Sequence, residues 1–382
     1  MKSIPYSKQN INNSDVKSVI KTLKSEFITQ GPKIIEFEKI LCQYTGAKYS
    51  VATNSATSAL HLSCLALDLK KNDIAWTVPN SFVASANCIL MCGAKVDFVD
   101  IDIETNNISI KNLEEKLKIS ARQKKLPKVL IIVHFAGSPC EMLKINKLKK
   151  KYNFKIIEDA SHALGAKYKN TKIGSCKFSD ITVFSFHPVK MITTGEGGVA
   201  LTNNNKIYKL MRLLRDHGIK RSISRKKKWL YNAVRLGFNY RITDIQCALG
   251  ITQITRLDHW VKKRNSLAKR YNKLLSKLPL ILPKIYNENL SSFHLYVIRF
   301  NQSATKSKRD HVFNFLRKKN ILVNIHYIPI YHHTLYKKLK FNSKNFPNCE
   351  LYYKTAITIP LFPSMSEEMQ KKIVKEIKVS LL

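Results

Sequence analysis

Residues 184–198 read FSFHPVKMITTGEGG, and both the chemistry and the architecture of the chain can be inferred from this stretch. Lys190 follows an apolar segment and precedes a turn that is rich in glycine. The chain has only 12 glycines in 382 residues, yet five of them fall within residues 165–198, so backbone freedom is concentrated here. An amine that is removed from water loses affinity for protons and becomes a nucleophile toward carbonyl groups. The stretch therefore predicts a lysine that forms a Schiff base.

The composition excludes several classes of protein. A chain of 382 residues with 44% hydrophobic residues is long enough for a large core and two domains. The first residues lack the apolar stretch of a signal peptide, and no apolar run has the length of a membrane span. The eight cysteines form no C-x-x-C pair, and no His/Cys cluster has the spacing of a zinc site. We therefore expect reduced thiols, no metal, no membrane partner and a cytoplasmic location.

The net charge of +40, from 66 basic and 26 acidic residues, raises the question of nucleic-acid binding. The basic residues are spread along the whole chain, and the densest block, residues 220–228, contains no aromatic residue. A diffuse, solvated basic surface is therefore the better interpretation. We expect no specific nucleic-acid partner, although such a surface would attract a doubly charged nucleotide diphosphate.

Short apolar runs alternate with amphipathic segments along the first two thirds of the chain. The run 129–133 predicts a buried strand, and strands predicted at 180–186 and 197–201 flank the lysine loop. The segments between such runs have the periodicity of helices. This alternation predicts an α/β fold in which helices cover both faces of a mostly parallel sheet.

The pattern changes toward the C-terminus. A long helical pattern runs from 241 to about 278, and a smaller α+β region follows it, with a strand predicted at 293–300. We therefore expect a large domain over residues 1–245 and a small C-terminal domain over residues 246–382, which is entered by a long helix.

Two other stretches complement the lysine. Residues 54–59, NSATSA, lead from a short strand into a helix, and the free N–H groups of such a helix N-terminus bind phosphate. The apolar run 156–159 ends in an acidic pair, which places Asp159 at the edge where open α/β folds bind ligands. Each stretch alone is compatible with an ordinary helix cap. A phosphate turn, a carboxylate and a buried lysine together predict a pyridoxal phosphate site, in which the carboxylate keeps the pyridine nitrogen protonated.

Several motifs, in this order along the chain, resemble the DegT/StrS family of nucleotide-sugar aminotransferases. The motifs are residues 54–62 (NSATSALHL), 78–87 (VPNSFVASAN), 157–160 (IEDA), 184–198 and 237–241 (GFNYR). The resemblance implies the aspartate aminotransferase-like architecture (fold type I) with pyridoxal 5'-phosphate as cofactor. It is greatest to the PseC branch, whose members make UDP-4-amino-4,6-dideoxy-N-acetyl-β-L-altrosamine on the route to pseudaminic acid. The resemblance thus implies transfer of an amino group from L-glutamate to C4 of a UDP-linked 4-keto-6-deoxy-N-acetylhexosamine.

The resemblance also implies roles for the matching residues. Lys190 would carry the internal aldimine and Asp159 would pair with the pyridine nitrogen, so these two are the catalytic candidates. Phe82 would stack on the cofactor ring, and His162 would lie beside its phenolic oxygen. The phosphate would be held by Ala56, Thr57, Ser185 and Asn239, the last of them from the neighbouring subunit of a homodimer with shared active sites. The weaker candidates for contact with the substrate are Tyr6, Thr29, Gly31, His326 and Tyr327.

Two alternatives remain open at this point. The first is an aminotransferase for a different keto sugar, which would act at C3, or at C4 with bacillosamine-type stereochemistry. The second is a non-catalytic, basic regulatory protein that retains the fold. The intact set of Lys190, Asp159 and Ser185 argues against the second alternative.

Overall fold

The computed structural model describes residues 3–221, 229–286, 288–301 and 306–381, so most of the basic block 220–228 lies outside the described residues. The strands are β1 (Ile4–Pro5), β2 (Tyr49–Thr53), β3 (Ile74–Thr77), β4 (Lys95–Phe98), β5 (Val129–Val133), β6 (Lys155–Asp159), β7 (Lys167–Tyr168), β8 (Thr171–Lys172), β9 (Ile181–Ser185), β10 (Gly198–Thr202), β11 (Ile219–Arg221), β12 (Tyr231–Ala233), β13 (Leu280–Ile281), β14 (Tyr296–Phe300), β15 (Ile321–Leu322) and β16 (Ala356–Ile359). The helices are α1 (Asn13–Leu23), α2 (Pro32–Thr45), α3 (Ala56–Ala66), α4 (Ala84–Met91), α5 (Ile110–Arg122), α6 (Met142–Tyr152), α7 (Asn205–Arg215), α8 (Asp244–Ile254), α9 (Leu257–Leu275), α10 (Lys306–Lys318), α11 (Thr334–Lys337), α12 (Pro347–Thr355) and α13 (Glu367–Leu381).

A seven-stranded sheet forms the centre of the molecule, in the order β2-β10-β9-β6-β5-β3-β4. Strands β9, β6, β5, β3 and β4 are parallel, and β10 runs antiparallel to both of its neighbours. The sequence of β5 is VLIIV and every one of its residues is buried, as is typical of a strand with helices on both faces. The predicted α/β fold with a mostly parallel sheet is confirmed.

The ends of β2, β6 and β9 meet at one edge of this sheet. Because β10 is antiparallel to both β2 and β9, those two strands point the same way, and Gly198 lies opposite both Thr53 and Ser185. Asp159 ends β6, which is the other neighbour of β9. The topology thus brings the start of α3, the acidic pair and the lysine loop to the same edge, where ligands bind in open α/β sheets.

A smaller antiparallel sheet of β13, β14 and β16 forms in the C-terminal part. Its apolar face packs with α9, α10 and α13 around buried residues such as Tyr271 and Ile298. Tyr331 and Tyr352, which also follow residue 245, belong instead to the core of the large sheet. Both cores thus receive residues from the C-terminal side, and the domain boundary at 245 stays a prediction.

Two elements differ from the sequence-based expectation. The strand predicted at 293–300 is shorter and begins only with β14, because Phe293 has a φ of 47°, outside the extended region. The helical pattern over 241–278 is divided between α8 and α9. At the division, the Thr255 hydroxyl donates to the Thr252 carbonyl at 2.7 Å, and such local bonds compete with those of the helix backbone.

Within the described ranges, none of the helices is both long and apolar enough to cross a bilayer. The same residues contain no group of His, Cys, Asp and Glu side chains that is arranged to hold a metal ion. The cysteines are free thiols, and most of them are buried.

Candidate active site

A cavity of about 780 Å³ opens at the edge where the parallel strands end. Its walls come from the ends of β2, β6 and β9, the start of α3, the lysine loop and the segment after β15. The predicted site residues that line it are Tyr6, Ala56, Thr57, Phe82, Asp159, His162, Ser185, Lys190, His326 and Tyr327. Its volume is typical of small-molecule sites, which occupy about 300–1,000 Å³.

The carboxylate of Asp159 is fixed from three directions. The backbone N–H and the hydroxyl of Ser161 donate to Oδ1, at 3.1 and 2.6 Å, and the hydroxyl of Ser85 donates to Oδ2 at 2.6 Å. A buried carboxylate with these donors is held in one orientation, and its remaining lone pairs can accept a bond from a ligand. Sequence reasoning missed both serines. The contact with Ser161 could have been found, because an aspartate side chain commonly accepts from the backbone N–H two residues further on, whereas Ser85 carries no such signal.

Lys190 reaches the cavity from a closed loop. Its backbone N–H donates to the carbonyl of His187 at 2.8 Å, and the hydroxyl of Thr193 donates to the carbonyl of Phe186 at 2.9 Å. Burial lowers the pKa of Lys190 to about 8, and the charge of Asp159 opposes this effect only in part. An amine with this pKa is substantially neutral at the upper end of the physiological range, so it can act as a nucleophile and as a base.

The start of α3 forms the polar end of the cavity. The Ser55 side chain caps the helix by accepting from the N–H of Ser58 at 3.1 Å. Ala56 and Thr57, which carry the first N–H groups of the helix, line the cavity. An added Cβ at Gly198 would lie 2.4 Å from the Ala56 nitrogen, so only glycine lets β10 approach this turn. The hydroxyl of Ser185 lines the same end. Backbone donors, a helix dipole and hydroxyls together form a cradle for a phosphate.

The opposite wall is formed by rings. The hydroxyl of Tyr327 is 3.0 Å from Nε2 of His162, and the ring of Tyr327 lies 6.2 Å from that of Phe82, centroid to centroid. Phe82 is 58% exposed, so its ring is free to contact a planar ligand. Burial, together with the charges of Lys190 and His326, holds the pKa of His162 well below its usual range. His162 is therefore a neutral imidazole at physiological pH.

Tyr6 and His326 reach the cavity together because β1 pairs with β15. Their ring centroids are 5.1 Å apart, and Nδ1 of His326 lies 2.9 Å from the hydroxyl of Thr358. Burial and the charge of Lys190 lower the pKa of His326 to about 3, so this side chain is also neutral.

Three predicted site residues do not line this cavity. Thr29 is exposed and forms a bridge with Thr243, and the N–H of Gly31 donates to Asp244 at 2.7 Å. Asn239 is also exposed, and its carbonyl accepts from Asn54 at 3.5 Å. The predicted role of Asn239 is in the site of the neighbouring subunit, and the predicted roles of all three residues stay predictions.

The chain matches the model of the DegT/DnrJ/EryC1/StrS aminotransferase family over residues 9–378. It is 42% identical over 380 residues to a UDP-4-amino-4,6-dideoxy-N-acetyl-beta-L-altrosamine transaminase of Campylobacter jejuni, with 99% of this chain and 97% of the relative covered. It is also 39% identical over 374 residues to an uncharacterized protein of Methanocaldococcus jannaschii, with 96% of this chain and 95% of the relative covered.

Solved structures agree with the sequence comparisons. PseC of Helicobacter pylori, an aminotransferase of pseudaminic acid biosynthesis, superposes with a TM-score of 0.91 at 32% identity and 99% coverage of both chains. The PLP form of the putative sugar aminotransferase Spr1654 of Streptococcus pneumoniae superposes with a TM-score of 0.90 at 30% identity, covering 99% of this chain and 98% of the other. These comparisons confirm the predicted family resemblance.

Proposed function

The chain belongs to the DegT/DnrJ/EryC1/StrS aminotransferase family, and from this premise we propose that it transfers the amino group of L-glutamate to C4 of a UDP-linked 4-keto-6-deoxy-N-acetylhexosamine. Membership makes the chain an enzyme, an aminotransferase, which sets aside the alternative of a non-catalytic regulatory protein. The choice of sugar follows the similarity to altrosamine transaminases and to PseC, which acts in the biosynthesis of pseudaminic acid.

We propose pyridoxal 5'-phosphate as the cofactor, because the side chains around the cavity fit each of its parts. The phosphate would be held by the N–H groups of Ala56 and Thr57 and by Ser185, and Phe82 would cover the ring. Asp159, fixed by its donors, would accept from the pyridine nitrogen. When bound, this cofactor supplies an electron sink that takes the amino group from one substrate and passes it to the next.

Lys190 would transfer protons in the reaction, first as a base and then as an acid. Its lowered pKa of about 8 gives a neutral fraction that can take a proton from the carbon that bears the amino group, and a charged form that can return it. The same amine would hold the cofactor covalently between turnovers. His162 and His326, both neutral because of burial, can donate or accept hydrogen bonds without adding positive charge beside the lysine.

We propose a homodimer that shares its active sites. Thr29, Gly31 and Asn239 lie outside the cavity of their own chain, and Asn239 forms a bridge with Asp216, shortly before β11. Large apolar side chains on either side of β12 are open to solvent, with Trp229 at 73% and Leu236 at 84% exposure, as suits residues that a second subunit covers. In such a dimer Asn239 would complete the phosphate cradle of the neighbouring subunit.

One observation carries the proposal: an amine with a lowered pKa and a fixed carboxylate face one cavity that has a helix N-terminus at its other end. The purified enzyme with pyridoxal phosphate should absorb visible light, and borohydride should remove the band and fix the cofactor to Lys190. Lys190→Ala should bind the cofactor without that band and should lose turnover. A fully active Lys190→Ala enzyme would exclude the proposed chemistry.

The substrate is tested with a panel of UDP-linked keto sugars and L-glutamate, with the products identified by mass spectrometry. We expect amination at C4 of the 4-keto-6-deoxy sugar with the altrosamine configuration. Preferential amination of a 3-keto sugar, or of the 4-keto sugar with bacillosamine-type stereochemistry, would instead support the alternative substrates. Ping-pong kinetics are expected in either case.

A further inference from the structure

The hydrogen bond between Tyr327 and His162 gives these two residues a joint role. Tyr327 comes from the segment after β15 and His162 follows β6, and they lie 165 residues apart in the chain. The hydroxyl of Tyr327 is 3.0 Å from Nε2 of His162, and the two rings are inclined by only 20° at a centroid distance of 6.1 Å. Both line the cavity with Lys190. The contact therefore joins the segment after β15 to the segment after β6 within the wall of the cavity.

Both groups of the pair are neutral. Burial, and then the charges of Lys190 and His326, lower the pKa of His162 well below its usual range. Burial, and then the charges of Tyr6 and Asp159, raise the pKa of Tyr327. Tyr327 thus keeps its proton and His162 carries only one, so the position of that one proton decides which partner donates.

The surroundings of His162 decide where its proton is. Its Nδ1 is buried and has no hydrogen-bond partner among the described residues. In proteins, a buried N–H that lacks an acceptor is rarer and more costly than a buried acceptor atom that lacks a donor. The proton therefore belongs on Nε2, which donates to the oxygen of Tyr327. The proton of Tyr327 is then left for another acceptor, and the described contacts of its hydroxyl include none besides His162.

We propose that Tyr327, oriented by the Nε2–H of His162, donates a hydrogen bond to an oxygen of the molecule bound beside Lys190. This inference rests on the proposed function, and it changes the expected roles: His162 becomes a positioning residue, and Tyr327 becomes a donor to the reacting centre. The acceptor is an anionic or carbonyl oxygen, which is either the phenolic oxygen of pyridoxal phosphate or the keto oxygen of the sugar. The phenolic oxygen holds its negative charge more easily beside a donor, and the keto oxygen gains negative charge more easily there when an amine adds to its carbonyl carbon.

The first measurement is a pH titration of the visible band of the lysine-linked cofactor without substrate. A donor to the phenolic oxygen withdraws charge from it and weakens its attraction for the neighbouring protonated nitrogen. Tyr327→Phe removes this donor. The pKa of the protonated nitrogen, read from the visible band, should therefore rise by about half to one unit, the effect of one neutral hydrogen bond. His162→Gln retains an amide N–H for Tyr327 and should shift the pKa less than His162→Leu, which retains none.

Tyr331→Phe is the matched control, because the hydroxyl of Tyr331 donates to Glu350 and does not line the cavity. It should leave the pKa of the band unchanged. If Tyr327→Phe leaves the titration unchanged but slows the half-reaction with the keto sugar at least tenfold, with an unchanged half-reaction for glutamate, the acceptor is the sugar oxygen. If both the titration and the sugar half-reaction are unchanged, the inference is overturned and the proposed function stands. A wild-type protein without any visible band overturns both.

Discussion

Replacing Gly198 by alanine perturbs the proposed phosphate cradle without touching a functional side chain. The added Cβ would lie 2.4 Å from the nitrogen of Ala56 and 2.5 Å from the carbonyl carbon of Ser55. These are backbone atoms, so no side chain can rotate out of the way. Carbon contacts are comfortable at about 3.5–4.0 Å, so the start of α3 has to move by about 1 Å. A shift of that size carries the first N–H groups of the helix out of hydrogen-bond range of a bound phosphate.

The expected loss of affinity follows from the hydrogen bonds that are weakened. A hydrogen bond to a charged group contributes about 1.5–3 kcal/mol, and about 1.4 kcal/mol corresponds to a factor of ten in affinity. We therefore expect Gly198→Ala to raise the dissociation constant for pyridoxal phosphate at least about tenfold. The crowding itself should lower the free energy of unfolding by about 1–3 kcal/mol.

Absorbance titration of the apoenzyme with pyridoxal phosphate measures the affinity, and urea unfolding measures the stability. Gly46→Ala is the control, because Gly46 has a φ of 85°, caps α2 and has no atom within 4 Å of an added Cβ. This control should lose about 1 kcal/mol of stability through backbone strain while its affinity for the cofactor is unchanged. Wild-type affinity of Gly198→Ala for pyridoxal phosphate would contradict the proposed phosphate cradle at the start of α3.

Two other predictions concern pH and the buried Arg264 of α9. Because the pKa of Lys190 is lowered to about 8, its neutral fraction rises about tenfold from pH 7 to pH 9. The rate at which the apoenzyme takes up the cofactor covalently should rise with it, and a rate that is flat over this range would contradict the lowered pKa. Arg264 is buried and donates to the carbonyls of Phe293, His294 and Leu361. Because Arg264→Leu leaves these buried carbonyls without their donor, it should lower the free energy of unfolding by about 3–5 kcal/mol in urea titrations. Arg270→Leu, which removes a partly exposed ion pair with Glu367, should cost at most about 1 kcal/mol, and equal losses in the two variants would contradict a role for burial.

The sequence was most informative where the chemistry is local. Lys190 and Asp159 each follow an apolar run that ends at the ligand-binding edge of the sheet, and the turn into α3 has small residues that point to phosphate. The parallel sheet followed from the alternation of apolar and amphipathic segments, because this periodicity reports which faces are buried. These features depend on a few neighbouring residues, and they could be read without knowing what packs against them.

Contacts between distant segments carried no such signal. Ser85 and Asp159 are 74 residues apart, and Tyr327 and His162 are 165 residues apart. Sequence reasoning therefore missed Ser85, and it gave Tyr327 as a candidate for contact with the substrate without any link to His162. The division of the helical pattern after residue 254 was likewise missed, because the pattern on both sides is helical and only the bend separates them.

The chain by itself determined which chemical groups are present, in which order, and on which kind of element each one lies. Only the tertiary structure decided which of them meet, which ring nitrogen is left without a partner, and how far the pKa of Lys190 falls. The physical reason is that burial and hydrogen bonding depend on the packing of segments far apart in sequence. Free energies of desolvation are set by every neighbour in space, whichever part of the chain supplies it.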